Sequence, residues 1–245
     1  MPRPEKIWII GASEGIGAAL AQEWADLGAT LILSARSEER LAAVCADLGP
    51  GHITVPLDVS DRASVDAAAE KIARLGPLDR VILLAAAYDP GRIADLDPAT
   101  ATAIIAVNLT GSFHIAQIAP ALLRPDGQLA LCGSVAGYIG LPHGQIYSAT
   151  KAGVISLTES LRTELDGRID VRLISPGFVD TRLTQRNDFA MPAIMTPVAA
   201  ARAIIKGLNT RRFEIHFPRR LTLSLKLLGA LPYWASLPLM RRLTR

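Results

Sequence analysis

Short runs of β-branched and aliphatic residues alternate along this chain with longer Ala/Leu-rich segments. The runs predict strands at 6–10 (Lys6-Ile7-Trp8-Ile9-Ile10), 29–34, 53–57, 80–85, 127–133, 170–175 and 212–217. The longer segments predict helices at 15–27, 37–48, 61–75, 98–122, 147–166 and 197–209. Strands that alternate with helices imply right-handed crossovers and a mainly parallel sheet covered on both faces. Several runs are apolar nearly throughout, as strands buried on both sides require. Gly28, Gly49-Pro50-Gly51 and Gly76-Pro77 punctuate helix ends. No stretch reads as an interdomain linker or an internal repeat. Residues 1–218 therefore read as one doubly wound α/β domain, and 219–245 as a basic apolar tail rather than a domain of its own.

Half of the 245 residues are hydrophobic, enough for a sizeable core. The net charge of +3 argues for neither nucleic acid nor an acidic substrate. Cys45 and Cys132 offer neither metal-ligand spacing nor a disulfide framework, and read as apolar thiols in a reducing compartment. Met1-Pro2-Arg3-Pro4 leads straight into the first strand without a secretory pattern, so the expectation is a cytoplasmic protein. The charge is unevenly placed. From Arg211 onward there are eight basic residues and one acid, Glu214, a net +7 that leaves −4 for the first 210 positions. Such asymmetry points the tail toward an anionic surface or partner.

Ile10-Gly11-Ala12-Ser13-Glu14-Gly15-Ile16-Gly17 joins the first strand to the first helix. Glycines there permit a tight turn, close approach of backbone to a pyrophosphate, and close helix–strand packing. Free amides and the positive helix end favour phosphate. The spacing is G-x-x-x-G-x-G; a tight turn without ligand is the alternative, and the β-α-β context favours a nucleotide. The second strand ends Leu33-Ser34-Ala35-Arg36. An acid at that place would bind an adenosine 2′-hydroxyl, whereas Arg36, helped by Arg40 one helical turn later, attracts a 2′-phosphate. The expected cofactor is NADP(H) over NAD(H). A solvated Arg36 is the other reading.

Tyr147 and Lys151 stand four residues apart on a predicted helix, a spacing that puts both on one face. Ser134 lies thirteen residues upstream of Tyr147, at the end of an apolar run. A phenol with an ordinary pKa near 10 needs about 4 kcal/mol of help to work at neutral pH. An ammonium at about 4 Å supplies roughly 1 kcal/mol in bulk water and about 4 at an effective dielectric near 20. Lys151 therefore suffices only in a partly dry cleft. An ordinary surface pair on an amphipathic helix is the competing reading.

With these residues assembled, positions 5 to about 217 resemble the short-chain dehydrogenase/reductases of the compact single-domain kind. The motifs occur in order: the glycine loop, Asp58 in Leu57-Asp58-Val59, Asn108 in Val107-Asn108-Leu109-Thr110-Gly111, Ser134, Tyr147-Ser148-Ala149-Thr150-Lys151, and Pro176-Gly177-Phe178-Val179-Asp180-Thr181. The resemblance implies a Rossmann-type seven-stranded sheet and reversible hydride transfer between a nicotinamide and a small-molecule carbonyl or secondary alcohol. It implies Tyr147 as acid/base, Lys151 beside it and on the nicotinamide ribose, Ser134 on the substrate oxygen, and Asn108 anchoring a proton-relay water. It further implies cofactor contacts from Gly11, Ser13, Gly15, Ile16, Gly17, Arg36, Asp58, Val59, Ala85, Ala86, Pro176, Gly177, Val179 and Thr181, no metal, and a homodimer or homotetramer built on helices 98–122 and 147–166. Two positions depart from the family pattern. Ile10 replaces the usual threonine, and Leu83-Leu84-Ala85-Ala86 replaces the usual Asn-Asn-Ala-Gly. A nucleotide-binding regulator or scaffold without turnover is the alternative that the second departure feeds.

Substrate specificity is expected in the loops Tyr88–Arg92 and Tyr138–Gly144 and in 182–196, a lid candidate containing Leu183, Phe189, Met191, Ile194 and Met195. These apolar residues suit either a partly hydrophobic substrate or packing of the lid itself. His143 reads as a solvated or structural residue, and Trp8 and Trp24 as packing residues. In the tail the longest uncharged stretch, 227–240, is interrupted by Pro232 and Pro238. It is short of the roughly 20 residues that a membrane span needs. Two readings stay open: an amphipathic element on anionic lipid, or a flap packed on its own or a neighbouring subunit.

Overall fold

The computed structural model describes residues 3–187 and 191–243. The apolar run Lys6–Ile10 forms β1, followed by α1 (Gly15–Asp26), β2 (Thr30–Ser34), α2 (Glu38–Asp47), β3 (Ile53–Thr54), α3 (Arg62–Ala73) and β4 (Leu78–Leu83). Then come α4 (Pro98–Ile105), a π-helical turn at Ala106–Thr110, α5 (Gly111–Leu122), β5 (Leu123–Cys132), α6 (Gln145–Glu164), β6 (Asp170–Pro176), α7 (Pro197–Leu208), β7 (Glu214–Phe217), α8 (Arg219–Ala230) and α9 (Tyr233–Leu243). The seven strands form one sheet in the order β3-β2-β1-β4-β5-β6-β7, every pairing parallel. This is the expected Rossmann-type doubly wound α/β fold.

The two-residue period of the strands divides the core. Trp8, Ile10, Ile32, Val81, Leu83, Leu129 and Leu131 face one side with Val65 and Ile72 of α3, Ile115 of α5 and Val154 of α6. Ile7, Ile9, Leu31, Leu33, Ile82, Ala130 and Ile174 face the other with Leu20 and Trp24 of α1, Leu41 of α2 and Ile204 of α7. Both tryptophans pack as expected, and Trp8 Nε1 also donates to Ser34 Oγ at 2.8 Å. The chain order reverses between β1 and β4, so the helices after them diverge to opposite faces. A crevice opens at the carboxyl ends of those strands. Ile10 lies there, opposite Ser34 on one side and Leu83 on the other.

Two expectations change in detail. The helix anticipated over 98–122 is broken by the π turn, whose backbone turns Asn108 fully inward. A π turn sets one extra residue into a helix and so redirects a side chain. Gly111 follows it because an added Cβ would sit 2.7 Å from Val59 Cγ2. Among the described residues Pro98–Leu122 is the one helical stretch long and apolar enough to cross a membrane; here it packs between α3, α6 and β5. The tail, finally, is two helices. α8 buries Thr222 and Leu228 against the domain, and Lys226 pairs with Glu214, which also accepts the Tyr138 hydroxyl. One face of the tail is thus a flap on its own domain.

Candidate active site

The glycine loop is pressed between β4 and α1. Gly11 has φ +92°, and an added Cβ would lie 2.6 Å from Ala85 N. At Gly17 an added Cβ would lie 2.0 Å from Gly11 O, so neither position admits a side chain. The Gly11 and Ala12 amides donate to Ser34 O (2.7 and 3.1 Å), and the Leu84 and Ala85 amides to Ile10 O (2.8 and 3.1 Å). Main-chain bonds therefore tie the segment after β4 to β1, and the glycine loop to β2, where Leu83-Leu84 stands in place of the expected asparagines. Ile10 itself is core. α2, α3 and α7 start on side-chain caps from Ser37, Asp61 and Thr196. α1 starts at Gly15 with no side-chain cap and no acid in its first turn, which leaves its first amides open for an acceptor.

That helix end opens into a cavity of about 250 Å³. Its walls include Gly11, Ser13, Gly15, Ile16, Gly17, Arg36, Asp58, Val59, Ala85, Ala86, Ser134, Tyr147, Pro176, Gly177, Val179 and Thr181. Each was expected from the sequence. Glu14, Arg40, Cys132, Arg182, Leu183 and Thr184 also line it. Arg36 is exposed at one end, whereas Arg40 and Arg182 share the Glu14 carboxylate at 2.9 and 3.4 Å. The Asp58 carboxylate accepts from the Ser60 amide and hydroxyl, at 2.9 and 2.6 Å.

Ser134 caps a short 3₁₀ turn, Val135–Gly137, and its Oγ accepts the Ala136 amide at 3.2 Å. Its hydroxyl also bonds to the Tyr147 phenol. Gly137 fixes how closely this turn meets α6, since an added Cβ would lie 2.7 Å from Lys151 C. Tyr147 is in the first turn of α6, and Lys151 follows one turn later, fully buried. Lys151 Nζ donates to Cys132 O at 2.7 Å and lies 5.6 Å from the Tyr147 ring centroid. Neither Lys151 nor Asn108 lines the cavity wall. The Asn108 amide is engaged at both ends: Oδ1 accepts from Ala87 N at 2.7 Å, and Nδ2 donates to Ala87 O at 2.9 Å and Thr150 Oγ1 at 3.1 Å. Thr150 in turn donates to Tyr147 O at 2.8 Å. Asn108 thereby clamps the segment after β4 to the turn of α6 that carries Tyr147.

The electrostatics differ from the sequence expectation. Lys151 does not depress the Tyr147 phenol on balance of protein groups. Burial pushes the phenol well above its ordinary value, the Cys132 and Tyr88 sites add to the rise, and a hydrogen bond from Ser134 only partly opposes it. Burial also lowers Lys151 and raises Cys132. Burial is the largest cause of both the Tyr147 and the Lys151 shift.

A second cavity of about 70 Å³ adjoins Tyr147 and Ser134, walled by Tyr88, Leu141, Pro142, Phe178, Leu183 and Asn187. Tyr88 meets Tyr147 edge-on with ring centroids 4.8 Å apart, and its hydroxyl donates to Asn187 Oδ1 at 2.7 Å. Arg186 ties the same loops together by donating to Tyr88 O at 2.6 Å. All three loops expected on the substrate side meet here. Within the lid candidate, Met195 packs into the core, Ile194 is exposed, and Phe189 lies outside the described residues. His143 is exposed, and its carbonyl accepts the Gly91 amide at 2.8 Å.

Known proteins share this fold. The profile of the short chain dehydrogenase family matches residues 5–190. The chain is 34% identical to 11-beta-hydroxysteroid dehydrogenase 1A of Arabidopsis thaliana over 194 residues, 75% of this chain and 55% of that protein. It thus spans about half the length of this plant relative. It is 32% identical over 249 residues to an uncharacterized oxidoreductase of Mycobacterium tuberculosis, covering 97% of this chain and 92% of the other. Among solved structures, a short-chain dehydrogenase from Sphingobium yanoikuyae in complex with NADPH superposes with a TM-score of 0.79 at 24% identity, over 93% of this chain and 96% of that one. One from Burkholderia phymatum in complex with NAD gives 0.82 at 24% identity, over 91% and 92%. The matched span contains the glycine loop, Ser134, Tyr147 and Lys151, and the chain belongs to the short-chain dehydrogenase family of oxidoreductases.

Proposed function

We propose that this protein is an NADP(H)-dependent oxidoreductase that interconverts a carbonyl and a secondary alcohol, with Tyr147 as acid/base. One observation carries the reading: Ser134 and Tyr147 share a single cavity with the uncapped start of α1 and with Arg36. The cavity fits a dinucleotide. Side chains are excluded at Gly11 and Gly17, and the first amides of α1 await an acceptor. The pyrophosphate would rest on Gly15, Ile16 and Gly17, the adenine beside Asp58 and Val59, and the nicotinamide between Ala85, Ala86, Pro176, Gly177, Val179 and Thr181. When bound there, the cofactor supplies or accepts the hydride at the carbinol carbon.

The chain's own groups handle the oxygen. Ser134 donates a hydrogen bond to the substrate oxygen and sets it against the Tyr147 hydroxyl. Tyr147 gives its proton as alkoxide charge develops and takes it back in the reverse direction. Lys151 stabilises the resulting phenolate and holds the nicotinamide ribose. Asn108 keeps the helix turn bearing Tyr147 in register through Thr150. Leu141, Phe178 and Leu183 near Tyr147 favour a substrate with an apolar part, in keeping with the hydroxysteroid named for the plant relatives. Exposed Ile105 and Phe113 on the 98–122 stretch suit a homodimer or homotetramer.

The test is NADPH oxidation over a panel of aldehydes and ketones, run beside Tyr147→Phe. Turnover that vanishes in the variant while NADPH still binds supports the assignment. Cofactor binding with no turnover on any carbonyl would instead favour a silent nucleotide-binding scaffold.

A further inference from the structure

The tail helices are apolar on two opposite sides. Thr222 and Leu228 of α8 face the domain, and Leu221 closes against Gly177, where an added Cβ would lie 3.0 Å from Leu221 Cδ2. On the outward side Leu223 and Leu227 lie one turn apart, and Leu227 is 68% exposed. α9 adds Tyr233 and Trp234, each 81% exposed, and Leu237 on the Trp234 face. Arginines flank this strip at both ends: Arg219 and Arg220 open α8, Arg241 and Arg242 close α9, and all four are exposed. The single acid after Arg211, Glu214, is held inward by Lys226 and Tyr138. The strip is therefore apolar, aromatic and positive, with no acid to offset it.

We propose that the outward face of α8–α9 docks on an anionic lipid surface. Leu223, Leu227 and Leu237 would enter the acyl boundary, Tyr233 and Trp234 would sit at headgroup depth, and the four arginines would meet lipid phosphates. A second copy of this chain fits the face less well, because a two-fold contact sets arginines against arginines. Neither helix can span: α8 has 12 residues and α9 has 11, against about 20 for a bilayer. The helices lie on the surface rather than across it.

Trp234 provides the readout. Of the three tryptophans, Trp8 and Trp24 are buried, so Trp234 reports alone on this face. Full-length protein is mixed with vesicles of phosphatidylcholine, with or without phosphatidylglycerol. The expected result is co-sedimentation and a blue shift of Trp234 emission with the anionic vesicles only, reversed by high salt. Trp234→Phe should remove the shift. Arg241→Gln with Arg242→Gln should weaken partitioning about 25-fold, roughly fivefold per arginine. Leu227→Glu with Leu237→Glu should weaken it at least about tenfold; both side chains point outward, so an unchanged melting temperature shows the fold intact. No co-sedimentation, or equal binding to both vesicle types, overturns the proposal. So does a Trp234 emission already blue without lipid in an oligomer that Leu227→Glu dissociates, which would assign the face to a second copy.

Discussion

Replacing Arg36 gives the sharpest test of the cofactor reading. Arg36, Arg40 and Arg182 line the cavity together with the Glu14 carboxylate. Arg40 and Arg182 share Glu14, and among the described residues Arg36 has no ion pair. Arg36 is exposed, so the relevant dielectric is close to that of water. A unit charge pair at about 4 Å is then worth about 1 kcal/mol, and a phosphate monoester of nearly −2 doubles it. Two kcal/mol corresponds to about 30-fold in affinity. Arg36→Ala should therefore raise the dissociation constant of NADPH by about 10- to 30-fold and leave that of NADH within about twofold. Arg36→Asp should go further and invert the preference, because a carboxylate repels the phosphate and accepts from a ribose hydroxyl. Glu14→Gln should act in the opposite sense, since it releases Arg40 and Arg182 from their shared partner. Fluorescence titration of both cofactors against wild type and the three variants measures this directly. Equal weakening of NADPH and NADH by Arg36→Ala would refute the reasoning, because a contact common to both cofactors has no bearing on a 2′-phosphate.

Three further outcomes are expected. Tyr147→Phe should lower kcat by about 10²- to 10⁴-fold with NADPH affinity within about twofold, since its edge-on contact with Tyr88 needs no hydroxyl; steady-state kinetics and titration separate the two. Gly17→Ala should destabilise the fold by at least about 3 kcal/mol in urea unfolding, because its Cβ would meet a backbone oxygen, Gly11 O, at 2.0 Å. Asp170→Asn should cost about 3 kcal/mol, because Asp170 accepts from Arg162 at 2.6 Å and from buried Arg172 at 2.7 Å. Burial alone would raise the Asp170 carboxyl, but Arg172, Gln128 and Arg162 hold it below the ordinary value. Its stabilisation is thus present above about pH 4 and lost as pH falls through the depressed folded pKa. In acid titrations of stability, Asp170→Asn should flatten that limb.

The alternation of apolar strands with helices was legible because the central strands are buried on both faces, which leaves a continuous run such as Lys6–Ile10 or Leu31-Ile32-Leu33. Most of the cofactor wall was legible for a related reason, since a tight turn and a close approach leave glycines in the sequence. Other features depend on contacts that no local pattern encodes. Ala106–Thr110 reads as ordinary helix, and its π geometry follows from Asn108 reaching Ala87, 21 residues away. The Glu14–Arg40 pair spans 26 residues, and Arg182 joins it from beyond β6. β3 shortens to two residues, although Val55 and Leu57 still donate to Leu33 O and Ala35 O at 2.8 and 3.1 Å. Gly137 left a usable signal: a glycine three residues after Ser134 marks the close approach of that turn to α6.

The rise of the Tyr147 phenol, opposite in sign to the sequence expectation, bears on how the site works. The burial that resists ionisation also lowers the local dielectric. A cation that shifts the phenol by about 1 kcal/mol in water shifts it by about 4 at an effective dielectric near 20. A dry cleft is thus harder to ionise at rest and more responsive to each charge placed in it. Lys151 suits this role because its partner is a neutral carbonyl, Cys132 O, so no carboxylate cancels its field beside Tyr147. The cavity's acids, Glu14 and Asp58, lie on the glycine loop and in the segment after β3 and are already bonded to arginines or to Ser60. Burial holds the phenol protonated, the state from which a proton can be given. On the proposed reading, an oxidised nicotinamide placed beside it would favour the phenolate that alcohol oxidation requires.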